Sequence, residues 1–263
     1  MDKNDIILSL KKFHQYKPLL HELVSRDLRV KYRRSFLGYL WSLLSPLMMM
    51  AVMSVVFSYM FRFDIPNYPL YLICGQTLWT FFAESTSIAL TAVWSNGTLI
   101  RKIYIPKYIF PISKVLSCFV TMSFSLAAIL IVMVVTKVKF TWGLLLTPVP
   151  LLLLLLFSTG IGLILSTFSV FFRDIVHIYS VVIMAWMYLT PVFYPISSLP
   201  PELAKIIMYN PMFHYLDFFR ELVLTGGLPS TFTVCMCVIW SIISIGIGLV
   251  VFEKFQKNFI LYV

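Results

Sequence analysis

Charge is scarce in this sequence. Only 12% of the 263 residues are Asp, Glu, Lys or Arg, whereas 60% are hydrophobic, and the mean hydropathy is +0.89. A soluble domain of this length needs more polar surface to cover its core. The composition therefore excludes a soluble globular protein and indicates an integral membrane protein, with no room for a soluble catalytic domain.

Residues that carry chemistry are also few and scattered. The four cysteines stand in apolar surroundings, where thiols packed between helices are commoner than metal ligands; Cys235 and Cys237 are the one close pair. The four histidines and the acidic residues form no recognisable catalytic cluster. No G-x-x-x-x-G-K-[ST] pattern is present to hold ATP phosphates. We therefore expect no metal, no cofactor and no catalytic site on this chain.

Long apolar runs predict an all-α integral membrane fold with six transmembrane helices. They cover residues 36–61, 69–93, 110–136, 144–170, 176–194 and 231–252. At ~1.5 Å rise per residue, each can cross a hydrocarbon core of ~30 Å. We expect residues 1–35 to form a cytoplasmic segment and residues 36–263 the transmembrane domain. The first run starts late and is too long for a cleavable signal peptide.

The distribution of Lys and Arg predicts the orientation. If the N-terminus lies inside, sixteen of the 21 basic residues lie on the cytoplasmic side. This bias places both termini in the cytoplasm, in a multi-pass protein of the cytoplasmic (inner) membrane. Attraction to anionic membrane lipid accounts for the net charge of +10, so no nucleic acid partner is needed.

An amphipathic helix is predicted over residues 18–34, before the first span. Leu20, Leu23, Val24 and Leu28 recur at helical spacing opposite a basic face. Such a helix lies in the membrane interface, where it either anchors the chain or also grips a partner. The basic residues assigned to this interface helix are Arg26, Arg29, Lys31, Arg33 and Arg34.

The predicted cytoplasmic loop over residues 94–111 has more structure than a turn requires. Asn96-Gly97 favours a turn, and one or two helical turns can follow before Pro106. Exposed apolar side chains beside basic ones indicate either a protein partner or a helix that dips into the headgroup layer. The candidate contact residues are Leu99, Ile100, Arg101, Lys102, Ile103, Tyr104, Ile105 and Pro106.

The segment 195–230 lies on the outer side of the membrane in this topology. Its pattern predicts two short helices, at 202–209 and 212–224. Their apolar side chains are too many for a solvated loop and too interrupted for a span. An extracytoplasmic re-entrant helical hairpin between helices 5 and 6 fits both facts. The outer-gate candidates are Glu202, Met208, Phe213 and Phe219.

Three smaller features favour structural roles over functional ones, although a carboxylate within a membrane span is also a candidate functional residue. Glu84 is the lone carboxylate of the second span, and its neighbours Ser85, Thr86 and Ser87 are candidate hydrogen-bond partners. Arg173 and Asp174 are a candidate ion pair. A stripe of small residues predicts a close helix contact; its members are Ser158, Gly162 and Ser166.

Four segments together resemble one family of transporters. They read RDLRVKYRRSFLGYLWSLLSPL at 26–47, IRKIYIPKYIFPIS at 100–113, FFRD at 171–174, and TPVFYPISSLPPEL followed by YNPM over 190–212. In this order and spacing they are similar to the permease subunit of ABC-2 type polysaccharide exporters, which include O-antigen, capsule and wall teichoic acid exporters. The resemblance covers nearly the whole chain from about residue 20.

The resemblance implies a homodimer that associates with two copies of a separate ABC ATPase, which binds ATP and Mg²⁺. The loop after the second span would be the coupling helix, and a lipid-linked glycan would be the substrate. Because unpaired hydroxyls are costly to move into hydrocarbon, a glycan needs a protein path, and aromatic faces suit sugar rings. Candidates for the wall of a dimer channel are Tyr39, Trp41, Phe57, Tyr59, Trp186, Tyr188, Phe193 and Tyr194.

Two other functions remain compatible with the sequence. An ABC-2 permease for a drug or a lipid would share the fold and the coupling loop. A membrane-embedded transferase would need a catalytic cluster that the sequence does not display. The basic helix running into RRSFLGYLW at 33–41 favours the glycan exporter.

Overall fold

The computed structural model describes residues 16–33, 35–60, 65–102 and 105–262. This part of the chain is mostly helical and contains no strand, which confirms the all-α prediction for it. Its α-helices are α1 (Lys17–Tyr32), α2 (Trp41–Met60), α3 (Tyr68–Ser95), α4 (Gly97–Lys102), α5 (Ile109–Val135), α6 (Pro148–Phe171), α7 (Ile175–Tyr188), α8 (Pro201–Ile207), α9 (Pro211–Arg220) and α10 (Thr231–Phe255). Three-residue to six-residue 3-10 segments occur at Gly38–Leu40, Trp142–Leu146, Ile196–Ser198 and Gln256–Leu261.

Four helical stretches in the described residues are long and apolar enough to cross a membrane. They are Gly38–Phe57, Ile109–Val135, Trp142–Phe171 and Thr231–Ile260. α3 is as long, with 28 residues, but it carries more polar side chains. α7 has 14 residues, a length of only about 21 Å. The helix ends at Tyr188, whereas the predicted span continued to residue 194, because the ring of Pro191 cannot continue the helix.

The main apolar core gathers side chains from α3, α5, α6, α9 and α10. A column of aromatic rings runs through it: Phe82 stacks on Phe157 with centroids 5.5 Å apart, and Phe157 contacts Tyr215 at 5.4 Å. The hydroxyl of Tyr215 donates to the carbonyl of Cys237 over 2.9 Å. This bond fixes α9 against α10 inside the core.

α6 approaches α10 closely because both helices present glycine there. A Cβ added at Gly248 would lie 2.6 Å from the carbonyl oxygen of Gly160, so neither side has room for a side chain. The predicted small-residue stripe is buried on α6; its members are Ser158, Gly162 and Ser166. Gly162 faces Ala89 of α3, so the stripe marks the contact with α3, whereas Gly160 serves the contact with α10.

Two short helices, α8 and α9, follow α7 as predicted. Their first and last residues differ from the predicted ones. Asn210 caps the N-terminus of α9. Its side-chain oxygen accepts a hydrogen bond from the backbone N–H of Met212 over 3.0 Å. Residues Glu221–Thr225 then widen into a π turn, which ends at Gly226 with φ +69°. That left-handed conformation suits glycine. Most of α9 is buried against the other helices, so this segment is part of the core rather than a loop above it.

Candidate functional site

The amphipathic helix α1 lies against the helix bundle. Leu23 is only 4% exposed and joins an apolar cluster with Ile100 of α4 and Phe110 of α5. On its polar side, Asp27 accepts a hydrogen bond from the ammonium of Lys114 over 2.8 Å. The predicted basic face therefore includes an acidic residue that holds the helix to α5. Of the other predicted basic residues, Arg34 lies outside the described residues.

Basic residues of α1 are neutralised in part by the helix itself. Arg29 pairs with Glu22 at 3.1 Å, and Arg26 lies 3.4 Å from Asp27. Both arginines are largely exposed, so these pairs contribute little stability. Arg33 follows the helix as an exposed turn residue.

The carboxylate of Glu84, on α3, has a charged partner. Its Oε1 accepts the Nζ of Lys31 from α1 over 2.6 Å. Burial by itself lowers the pKa of Lys31, but the hydrogen bond and the negative charge of Glu84 outweigh it, and the pKa is raised above 10.5. The expectation that Glu84 bonds to its chain neighbours was wrong: Ser85 and Thr86 donate to the carbonyl of Phe82 instead.

The loop after α3 forms the short helix α4, as predicted. Ile100 is buried, and Leu99 and Ile105 pack on the apolar cluster that α1 shares. The expectation that Ile105 lies uncovered was therefore wrong, since the chain's own helices shelter part of it. Arg101 and Lys102 point outward and are exposed. Ile103 and Tyr104 lie outside the described residues.

The end of this loop is tied to the end of α10. Lys107 donates to the carbonyl of Gln256 over 2.6 Å, and its ammonium lies 5.6 Å from the ring centroid of Phe259. Burial lowers the pKa of Lys107. Phe259 belongs to the same apolar cluster as Ile100. We call the surface formed by α1, α4 and Gln256–Leu261 the basal face.

Arg173 and Asp174 make no ion pair with each other in the structure. The guanidinium of Arg173 instead lies 5.9 Å from the ring centroid of Trp94, at the end of α3. The pairing proposed from sequence adjacency was therefore wrong.

The aromatic candidates divide into exposed and packed residues. Exposed ones are Tyr39, Trp41 and Tyr188. Trp186 is packed instead: its ring contacts Phe82 at 5.2 Å, and its Nε1 donates to Asn210 over 2.9 Å.

Two further pairs of these aromatic residues meet in the structure. Phe57 stacks on Phe193 with centroids 5.8 Å apart. The hydroxyl of Tyr194 donates to the carbonyl of Tyr188 over 2.6 Å. Tyr59 belongs to α2, and its side chain lies outside the described residues. The candidates thus do not form one continuous surface within a single chain.

The four outer-gate candidates are also divided. Glu202 and Met208 are exposed, and Phe213 is half-buried against His214, 5.3 Å away between centroids. Phe219 is only 2% exposed and lies in the core. Its role in the fold is packing.

Sequence reasoning missed the role of Arg220. The topology prediction treats it only as one of the basic residues on the outer side. The structure buries it to 7% exposure, and it donates to the backbone carbonyls of Tyr71, Pro191 and Val192 over 3.2, 2.7 and 2.7 Å. A single cation thus joins α9 to the start of α3 and to the turn after α7. An arginine within a largely apolar segment of a membrane protein was the signal available in the sequence.

Comparison with known proteins gives full-length matches. Residues 18–224 match the ABC-2 type transporter family. An O-antigen export system permease protein of Myxococcus xanthus is 30% identical over 97% of this chain and 98% of its own length. A second O-antigen export system permease protein, from Klebsiella pneumoniae, is 31% identical over 92% and 93%. The polysialic acid transport protein KpsM of Escherichia coli is 22% identical over 93% and 96%.

Proposed function

The chain belongs to the ABC-2 type transporter family, and we propose that it is the permease of an exporter that moves a lipid-linked surface polysaccharide across the cytoplasmic membrane. The observation that carries this proposal is the similarity to O-antigen permeases over nearly the full length of both chains. The family is one of transport subunits, so ATP hydrolysis belongs to an associated ATPase subunit. The protein is a multi-pass membrane protein.

The proposed topology has six spans, formed by α2, α3, α5, α6, α7 and α10, with both termini in the cytoplasm. The excess of basic residues on the side of α1 and α4 supports this orientation. α7 is too short to span alone, but the turn that follows it extends the crossing up to residue 194. α8 and α9 then form a re-entrant hairpin, and α9 is covered by protein, which is the condition for irregular structure at membrane depth.

In the proposed assembly, two copies of the chain pair with two ATPase subunits. Exposed helix faces support pairing. In the apolar stretch that contains α2, only 6% of the residues are buried within one chain. The exposed rings of Tyr39, Trp41 and Tyr188 are available to line a path between the copies. Aromatic faces contact the CH faces of sugar rings without requiring a fixed hydrogen-bond pattern, so a polymer can slide past them.

Coupling is proposed to act through the basal face. Movement of the ATPases presses on α4, whose exposed side carries Arg101 and Lys102. Because Ile100 packs in the same cluster as Leu23, α1 must move with α4 or lose that packing. α1 in turn is held to α3 through Lys31–Glu84 and to α5 through Asp27–Lys114, so the movement reaches two spans.

Export measured in cells tests the function. A strain lacking its own O-antigen permease is complemented with this chain and its cognate ATPase, and surface glycan is analysed. We expect glycan to reach the surface, and the Ile103→Asp/Tyr104→Asp variant to hydrolyse ATP without export. If the chain reaches the membrane at normal abundance and no glycan appears, the proposal of polysaccharide export fails.

A further inference from the structure

A cavity with several polar side chains in its wall lies within one chain between α2, α3 and α5. Its volume is about 310 Å³, at the lower end of the range for small-molecule sites. Six of the fifteen residues that line it are Ser or Thr: Ser42, Ser45, Thr77, Thr80, Thr121 and Ser125. A wall of this kind is unusual among membrane helices, where polar groups are costly unless they have a partner.

Two atoms of this wall have no partner. Thr77 is only 4% exposed, and neither its Oγ1 nor the Oε1 of Gln76 forms a hydrogen bond in the structure. Each buried group left unpaired costs about 1–3 kcal/mol. The two residues are neighbours on α3 and both line the same cavity. A ligand that hydrogen-bonds there would remove this cost.

The wall offers both acceptors and donors. The hydroxyls of Ser42, Thr121 and Ser125 already donate to the backbone carbonyls of Tyr39, Ser117 and Ser42, over 2.6, 3.1 and 2.8 Å. Only their lone pairs remain free for a ligand. The amide oxygen of Gln76 is an acceptor as well. The unpaired hydroxyl of Thr77 and the amide N–H groups of Gln76 are donors, so the wall can both donate to and accept from the hydroxyls of a neutral ligand.

The charge of the wall is balanced. Glu84 and Lys31 both line the cavity and pair with each other, so they leave no net charge for an ionic ligand. Trp41 and Phe81 supply aromatic surface beside the hydroxyls. Hydrogen-bonding groups beside an aromatic ring form the combination that binds a neutral sugar ring, through its hydroxyls and its CH face.

The Lys31–Glu84 pair also separates this cavity from a second one. The neighbouring cavity, of about 340 Å³, lies on the α1 side and is lined by the same two residues and by Asp27 and Lys114. Both cavities also share Cys118 and Thr121.

We propose that the cavity between α2, α3 and α5 is a binding site for one neutral sugar ring, with Gln76 and Thr77 as its hydrogen-bonding residues. The site is lined by residues of one chain, and Trp41 belongs both to its wall and to the exposed rings proposed to line a path between the copies. The inference rests on the proposed function only for the source of the sugar, which is either the exported glycan or a membrane glycolipid. The chemistry of the wall is the same in both cases.

Photolabelling of the full chain in phosphatidylcholine nanodiscs tests the site. The probe is monoglucosyl diacylglycerol with a diazirine on the glucose, and labelled residues are located by mass spectrometry. We expect labels on the segment around Thr77, reduced about tenfold in the Gln76→Leu/Thr77→Val variant, as the loss of two neutral hydrogen bonds predicts. Thr91→Val is the matched control, because Thr91 lies on α3 outside the cavity and donates to Ile88.

A second variant guards against misfolding. Thr80 is exposed at the rim, so Thr80→Trp fills the cavity and leaves Gln76 and Thr77 in place; it should also abolish labelling. Competition identifies the source: an unlabelled prenyl diphosphate-linked sugar competes best if the exported glycan supplies it, and unlabelled monoglucosyl diacylglycerol competes best if the membrane does. If neither competes better than diacylglycerol, or Thr80→Trp labels as well as wild type, the cavity holds only water and the proposal is overturned. Export by complementation is measured separately, so the two proposals can fail independently.

Discussion

The guanidinium carbon of Arg220 lies over the ring of Tyr71, 3.5 Å from its centroid, and the guanidinium also donates to the carbonyl of Tyr71. The same cation reaches the turn after α7 through Pro191 and Val192. Three structural units therefore depend on one side chain near the predicted outer surface. The partners are carbonyl dipoles and an aromatic face, which stabilise a buried cation without a carboxylate in direct contact.

Gly75 makes room for this guanidinium. A Cβ at position 75 would overlap Nη2 of Arg220, so Gly75→Ala should displace the cation from its carbonyl partners. Hydrogen bonds from a charged donor contribute about 1.5–3 kcal/mol each, and we expect a loss of at least about 2 kcal/mol. Thermal unfolding of the purified protein in detergent should show a lower midpoint. An unchanged midpoint would mean that Arg220 does not hold these three units together.

The contact between α6 and α10 gives a second prediction with a control on the same helix. Gly248→Ala places a methyl group 2.6 Å from the carbonyl of Gly160, and backbone atoms must shift to accept it. Gly246→Ala meets nothing within 4 Å, so alanine there should be neutral or slightly stabilising. We expect Gly248→Ala to lower the unfolding midpoint and Gly246→Ala to leave it unchanged or raise it. Equal midpoints for the two variants would contradict the close contact.

The helices could be predicted because apolar runs of about 20 residues have few alternatives in a membrane protein. The ends of α7 and α9 were less certain, since they depend on Pro191 and on the π turn, which sequence periodicity does not reveal. The amphipathic pattern of α1 was correctly interpreted from Leu20 and Leu23. Its ion pairs were not predicted, because Lys31 and Glu84 are 53 residues apart and only the tertiary fold joins them.

The aromatic candidates show a different limit. Trp186 and Tyr188 are two positions apart on one apolar helix, yet Trp186 packs against Phe82 whereas Tyr188 is 64% exposed. When both faces of a helix are apolar, hydrophobicity does not tell which side faces protein. The side chain of Asn210 accepts a hydrogen bond from Trp186 and holds its ring inward. This bond could not be predicted without the position of α9.

The Lys31–Glu84 pair should behave as a coupled unit. Replacing either residue alone, as Lys31→Met or Glu84→Gln, leaves its partner charged and without its counterion, so each single variant should lower the unfolding midpoint. The double variant should lose less than the sum of the two, with a coupling free energy of about 1 kcal/mol. Arg29→Met is the control, because Arg29 pairs with Glu22 on the same helix and not with the bundle. Additive effects of the two single changes would show that the pair is not formed in the membrane.

The packing of α1 on α4 provides the test of how coupling reaches the spans. Leu23 is buried in the cluster with Ile100, whereas Val30 on the same helix is 65% exposed. Leu23→Ala removes packing that typically contributes about 2–5 kcal/mol in a core, and α1 should then no longer follow α4. In the assembled transporter we expect ATP hydrolysis to continue while glycan export falls several-fold. Val30→Ala removes an exposed side chain and should leave both unchanged. If Leu23→Ala reduced hydrolysis and export in equal proportion, the change would act on assembly with the ATPase, and α1 would not be the element that carries movement from α4 to α3 and α5.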